Sequence, residues 1–322
     1  MATNFPNGVL SRGVPAEGIG VFSPFGNVFY VDSGHGNAND DNPGTSPKAP
    51  MATIDAAYNR CTASQGDVVV VAGGHTETIS GATDLVLDTA GVTIIGMGRG
   101  SDRPTLTFSA TDSEIPISAV NVTLQNFLLT ITGAIDVVVG ITVSAAGVRL
   151  LDIEGREPAA TSQWVDFIVG TTCDQMEIVD LKFKGLVAGD ATQAAVSITG
   201  TPTEVRIINP WIVGEFVAAG IDISGVATDL YLLNPVVEQR HSTQDACITV
   251  AATATGFLIG ARLRTATNDD PGITAALTAS NKLQIYDLQI VNADGEFAVI
   301  GASEVTTLDT ANQVWGAPSV IT

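Results

Sequence analysis

Positive charge is what this 322-residue chain has least of: 14 Lys plus Arg stand against 34 Asp plus Glu, a formal net charge of −20. A surface with that excess repels phosphate and has no basic stripe, which excludes free DNA or RNA as a partner and disfavours anionic lipid. Cysteine is also scarce. Cys61, Cys173 and Cys247 lie far apart with no CxxC pair, so they read as small buried hydrophobes of a chain folded under reducing conditions. No basic segment followed by an apolar run opens the chain, and no run nears the roughly 18 apolar residues of a membrane span. These absences predict a protein made in a cytoplasm, with no membrane partner. Aromatics are few, at 6%, but hydrophobic residues reach 45%, which is ample for a packed core and excludes a disordered acidic chain.

Internal repetition is present instead. Eight short segments align: Val92–Gly96, Val122–Asn126, Val148–Asp152, Met176–Asp180, Val205–Asn209, Leu230–Asn234, Phe257–Gly260 and Leu283–Asp287. Their last residues are 30, 26, 28, 29, 25, 26 and 27 apart. Each is followed by a second alternating piece, such as Leu181-Lys-Phe183, and preceded by a third, such as Ile141-Thr-Val143 or Val196-Ser-Ile198. Three strands of three to five residues are too short to make a sheet within one unit, so they must pair with their equivalents in the next unit, in parallel. No helix-period segment lies between them, and the repeat joints lack Asn-Gly or Asp-Gly hairpin signals. The closing column contains only Gly96, Asn126, Asp152, Asp180, Asn209, Asn234, Gly260 and Asp287. These residue types tolerate left-handed backbone angles, so the column predicts a sharp one-residue corner and a ladder of polar side chains along the axis.

The pattern resembles the right-handed parallel β-helix of the pectin-lyase-like superfamily, with its asparagine ladder at a tight turn. The fold expected is therefore all-β: a right-handed single-stranded parallel β-helix (a solenoid) with a short N-terminal capping helix and an extended N-terminal arm. Right-handed winding also follows from strand twist and crossover preference.

Residues 28–80 carry a second resemblance. Val28-Phe-Tyr-Val-Asp32, the polar loop from Ser33 to Pro47, Pro50-Met-Ala-Thr-Ile-Asp-Ala-Ala-Tyr58, Gly66-Asp-Val-Val-Val-Val-Ala72 and Gly73-Gly-His-Thr-Glu77 are similar to the opening of many β-helix proteins, frequently phage ones. This segment reads as the N-terminal cap and first coil, with Thr53 to Cys61 a short amphipathic helix over the open end of the rod. The loop from Asp32 to Asp41 holds hard oxygen donors but not the spacing of an EF-hand, and reads as an Asx-rich turn.

Residues 1–27 differ in kind. They hold one cation, Arg12, and one anion, Glu17, beside Phe5, Val9, Leu10, Val14, Phe22 and Phe25. A neutral apolar arm on an acidic body reads as a partner-binding anchor, against the alternative of a strap on its own rod. Its Asn4-Phe-Pro-Asn-Gly-Val9 stretch resembles openings of phage head-associated proteins. Residues 81–300 form the β-helix body, and 301–322 a C-terminal cap or tail.

Chemistry is weakly signalled. Arg149, Glu177 and Arg206 share a column, which cross-strand pairing explains. Glu154, Glu157, Asp166, Asp174 and Glu177 read as a solvated acidic face, and Trp211 as a packing residue. His35, His75 and His241 share no column, and no nucleophile triad, P-loop or HExxH occurs. The expectation is no catalytic residue, no metal and no cofactor. Small Ala, Thr, Gly and Ser turns give a slim rod. What the resemblances imply is a structural protein of a phage virion, most simply a capsid decoration or cement protein on the capsid surface, with the major capsid protein and itself, as a homotrimer, for partners. The alternative is a tailspike-like β-helix that binds or cleaves host surface polysaccharide.

Overall fold

A computed structural model of the chain describes residues 26–186, 192–241, 246–251, 253–265 and 283–289, with the backbone alone at 10–11, 14–15, 277–278 and 290–292. The body is a right-handed parallel β-helix. Seven coils contribute a strand to each of three parallel sheets, and the first two sheets extend further toward the N-terminus.

The first sheet stacks Val28–Val31, Val68–Val71, Thr93–Gly96 and the starts of Thr123–Ile131 and Arg149–Arg156, then Glu177–Val179, Arg206–Ile208, Leu230–Leu233, Gly256–Ile259 and Leu283–Tyr286. The second runs from Thr76–Ile79 to Gln289–Asn292, and the third from Ile115–Ile117 to Leu277–Thr278. Register follows the apolar alternation because a one-residue slip would turn every core side chain outward. Ile94, Leu124, Leu150, Ile178, Ile207, Leu232 and Leu258 accordingly form one buried stack, each coil covering the last.

Seven of the eight corner residues have positive φ: Asn126 (64°), Asp152 (51°), Asp180 (55°), Asn209 (53°), Asn234 (50°), Gly260 (70°) and Asp287 (49°). Gly96 does not, which corrects the expectation for that coil. There the chain passes into Gly98, at φ 86°, and a 3-10 turn at Gly100–Asp102, so the corner is longer than one residue. Gly96 is needed for close approach instead: a Cβ on it would lie 2.3 Å from the Asn126 carbonyl oxygen of the next coil.

A second left-handed column went unread in the sequence. Ser64, Gly91, Asn121, Gly147, Gln175, Glu204 and Asp229 all have φ between 55° and 73°, shortly before the start of seven of the ten first-sheet strands. Backbone bonds climb this edge, from Gly91 N to Val120 O (3.0 Å), Asn121 N to Ala146 O (2.9 Å) and Gln175 N to Thr203 O (2.8 Å). The five coils that hold Asn126, Asp152, Asp180, Asn209 and Asn234 therefore turn sharply at two edges.

The N-terminal end is plugged as the amphipathic pattern requires. The helix Ile54–Tyr58 buries Ile54, Ala57 and Tyr58, and the Thr53 hydroxyl caps it by accepting from Ala56 N. Tyr58 Oη donates to Thr89 O at 2.8 Å, fixing the plug to the coil beneath. Carboxylates of the polar loop satisfy backbone amides: Asp40 Oδ1 accepts from Ala52 N and Thr53 N, and Asp32 Oδ1 from Gly34 N. His75 is wholly buried; its Nδ1 accepts from Ser33 N and its Nε2 meets Glu77 Oε2 at 3.1 Å. Cys173 and Cys247 are buried and unbridged, and burial pushes the Cys61 and Cys173 thiols up to about 12, which keeps them protonated.

Candidate functional site

Four features could carry function: the corner ladder, the acidic group on the third sheet, the charged column on the first sheet, and the arm. The ladder links coils through side chains. Asn126 Nδ2 donates to the carbonyls of Gly96 (2.7 Å) and Gly98 (3.1 Å). Asn209 Nδ2 donates to Asp180 Oδ1 (3.2 Å), and Asn234 Nδ2 to Asn209 Oδ1 (3.1 Å). The Asn234 carboxamide fills the space a side chain at Gly260 would need, since a Cβ there would stand 2.4 Å from its Oδ1. Asp152 instead binds Arg103, whose buried guanidinium also reaches Glu154 (2.8 and 3.1 Å), tying two coils together. The ladder is thus structural chemistry at Asn126, Asp180, Asn209 and Asn234, each bonded to an adjacent coil, and at Asp152, held by Arg103.

The acids near the third sheet depart from the solvated face predicted for them. Glu157 is 5% exposed. Its carboxyl accepts from Trp164 N (3.2 Å), Leu186 N (3.1 Å) and Thr192 Oγ1 (2.9 Å), because the turns that follow two successive second-sheet strands fold over it. Burial pushes its pKa up to about 7, against those three hydrogen bonds, with the Asp136 charge adding a little. Asp166, in Gln163–Gly170, is raised to about 6 by burial and then by the charge of Asp222, in Ile221–Ile223. Asp222 is itself raised by burial. Side chains that titrate near neutrality are able to give and take protons, which is the chemical meaning of such a group.

A pH dependence follows. The folded pKa of Glu157 lies above its unfolded value near 4.5, so its contribution to stability is fully present in acid and is lost as pH rises through about 7. The expected loss is on the order of 3 kcal/mol between pH 4.5 and 8.5. Thermal midpoints across that range should fall, and Glu157→Gln, which holds the site neutral, should flatten most of the fall. An equal slope in both proteins would contradict the assignment.

On the first sheet Arg149 and Glu177 do pair across adjacent coils, at 2.7 Å, and Arg206 lies over the Tyr231 ring, 5.8 Å from its centroid. This is cross-strand pairing at an exposed position and adds little stability. Trp211 corrects the packing assignment: it is 43% exposed on the second sheet, and Ile212 points inward in its place. Of the arm, Phe5, Val9, Phe22 and Phe25 lie outside the described residues. For Leu10 and Val14 the backbone is described, and it is not simply extended: Leu10–Ser11 pairs antiparallel with Val14–Pro15. Among the described residues no group of three or more His, Cys, Asp or Glu could hold a metal ion, and no helix is long and apolar enough to cross a membrane.

No protein-family model matches the chain, and no curated protein matches it in sequence. Solved structures similar to it include a rhamnogalacturonan lyase (12% identity, TM-score 0.41, covering 86% of this chain and 90% of that one) and a pectate lyase (12%, 0.42, 88% and 84%). A third is an endo-xylogalacturonan hydrolase from Aspergillus tubingensis (11%, 0.35, 84% and 94%). At these identities the likeness concerns the course of the backbone and not its chemistry.

Proposed function

We propose that this chain is a structural protein of a phage virion, a capsid decoration protein whose residues 1–27 dock on the major capsid protein while the acidic β-helix stands on the capsid surface, in a homotrimer. The observation that carries this reading is the division of charge and structure. Residues 1–27 balance one cation against one anion among apolar side chains that include Phe5, Val9, Leu10, Val14, Phe22 and Phe25, and the remainder holds the whole −20. In support, the body has its own continuous core and a helix over its N-terminal end, both built without residues 1–27. Apolar side chains transferred from water to a shell contribute roughly 25 cal/mol per Å², several kcal/mol per copy over a few hundred Å² before ordering costs.

The test compares the full chain with one beginning at residue 28, mixed with purified capsids and sedimented. The shortened chain should keep its β spectrum and thermal midpoint and bind at least 100-fold more weakly. Undiminished binding would refute the anchor.

One observation favours a second reading, a module that binds or cleaves host surface polysaccharide. Asp166 and Asp222 are two coils apart on one sheet and three residues out of register, the Asp222 charge helps to raise Asp166, and Asp222 is itself raised by burial. Two carboxyl groups, one of them protonated near neutrality, are what a glycosidase employs. Reducing-end release from host polysaccharide, lost on Asp166→Asn, would place this reading first; no release would retire it.

A further inference from the structure

The outward face of the first sheet carries an apolar ladder that the fold itself does not need. Ile95, Leu151, Val179, Ile208, Leu233 and Ile259 occupy one outward column, one per coil, interrupted only at Gln125. Each is partly covered by its neighbours above and below, and each leaves an edge in solvent. The column beside it becomes aromatic toward the C-terminal end, where Tyr231 and Phe257 stack with centroids 5.5 Å apart. Val120 and Val226, in turns that precede first-sheet strands, are 44% and 41% exposed.

Charge identifies the occupant. The described first-sheet strands carry one acid, Glu177, already bound to Arg149, and two cations, in a chain with 34 acids and 14 bases. Two copies bearing −20 each repel one another over most of their surfaces, and a nearly neutral apolar face is where that repulsion is weakest. The geometry is self-complementary as well. A flat sheet with one aliphatic side chain every ~4.8 Å meets another of identical spacing without mismatch. Ten stacked strands make a face roughly 43 Å long and 13 Å wide, so two copies face to face would bury about 1,100 Å², close to the lower limit of stable interfaces.

We infer that the outer face of the first sheet is where a second copy of this chain docks, its Ile95-to-Ile259 ladder packed against the same ladder of its neighbour. The inference goes beyond the proposed function and does not rest on it: two identical faces meet about a two-fold axis, so this contact pairs copies and is separate from the contacts that would hold the homotrimer; it holds whether or not the assembly decorates a capsid.

The experiment is sedimentation equilibrium on the full chain and on full-length variants. The wild type should sediment as more than one copy at micromolar concentration. Leu151→Lys with Leu233→Lys, three coils apart so that the new charges do not meet within one copy, should weaken association at least 100-fold with an unchanged β spectrum. Should the lysines disturb the coil, Leu151→Ser with Leu233→Ser is read in the same way, with at least a 10-fold weakening. Trp211→Lys, on the second sheet, should leave the assembly intact. A monomeric wild type would overturn both the interface and self-association. An assembled wild type that both ladder pairs leave unchanged, or that Trp211→Lys dissociates, would overturn the interface while self-association stood. Capsid binding through the arm is measured separately and is decided by neither result.

Discussion

Trp164→Ala should destabilise the rod by about 3–5 kcal/mol, while Trp164→Phe should cost less than about 1.5 kcal/mol. Trp164 is fully buried and is the centre of an aromatic column inside the helix. Its ring lies edge-on to Phe108 (centroids 6.0 Å, planes 81° apart) and tilted on Phe167 (4.9 Å); Phe167 meets Phe183 (5.2 Å) and Phe183 meets Phe216 (5.8 Å). Alanine would leave a cavity in a stack that rigid parallel sheets cannot close. Phenylalanine fills most of the space and removes a liability, because the buried indole Nε1–H has no hydrogen-bond partner. Denaturant midpoints of the two variants measure the contrast. Near-equal losses would mean that the indole is held by a bond rather than by packing.

The second large effect belongs to the corner. Asn209→Val should cost roughly 2–3 kcal/mol, and Asn209→Gly on the order of 1 kcal/mol. Asn209 sits at φ 53° and bonds Asp180 below and Asn234 above. Both substitutions remove those two exposed side-chain bonds. Only valine adds the steric penalty of a β-branched residue in the left-handed region, about 1–2 kcal/mol. The difference between the variants, read from equilibrium unfolding, therefore isolates backbone conformation from the ladder bonds. Valine no worse than glycine would mean the corner is not left-handed.

These two sites mark the limits of what the sequence discloses. The Asn209 corner was legible because a one-residue left-handed bend restricts residue type, and the restriction recurs every 25 to 30 residues. The second corner was not, because Gln175 and Glu204 occupy left-handed backbone against their own preference, held by axial hydrogen bonds such as Glu204 N to Thr228 O. Gly96 misled in the opposite direction: its type fits a left-handed bend, but it is there to let Asn126 O approach. The aromatic column is not legible in the sequence because, apart from Trp164 and Phe167 on one strand, its rings come from separate segments that only the folded coil lines up. Gly155 belongs to it as a slot, since a Cβ there would lie 2.6 Å from Phe167 Cζ.

For the candidate sites the same division holds. Arg149 and Glu177 could be placed side by side from repeat spacing alone. The burial of Glu157 could not, because it depends on turns of two successive coils closing over one carboxyl. Period-two alternation did contain the exposure of Trp211, since Ile212 must face inward for the coil to close. The first-sheet outer ladder was equally present in the paired apolar residues of Arg206-Ile-Ile-Asn209 and Leu230-Tyr-Leu-Leu-Asn234, one member of each pair being surplus to the core.

An electron-density or cryo-EM map that fixes the backbone angles of residues 120–290 tests the coil most directly. The expected result is left-handed φ at Asn126, Asp152, Asp180, Asn209, Asn234 and Asp287, with the Asn209 and Asn234 carboxamides bonded from one coil to the next. Ordinary negative φ at those residues, or strands paired antiparallel within a repeat, would contradict it.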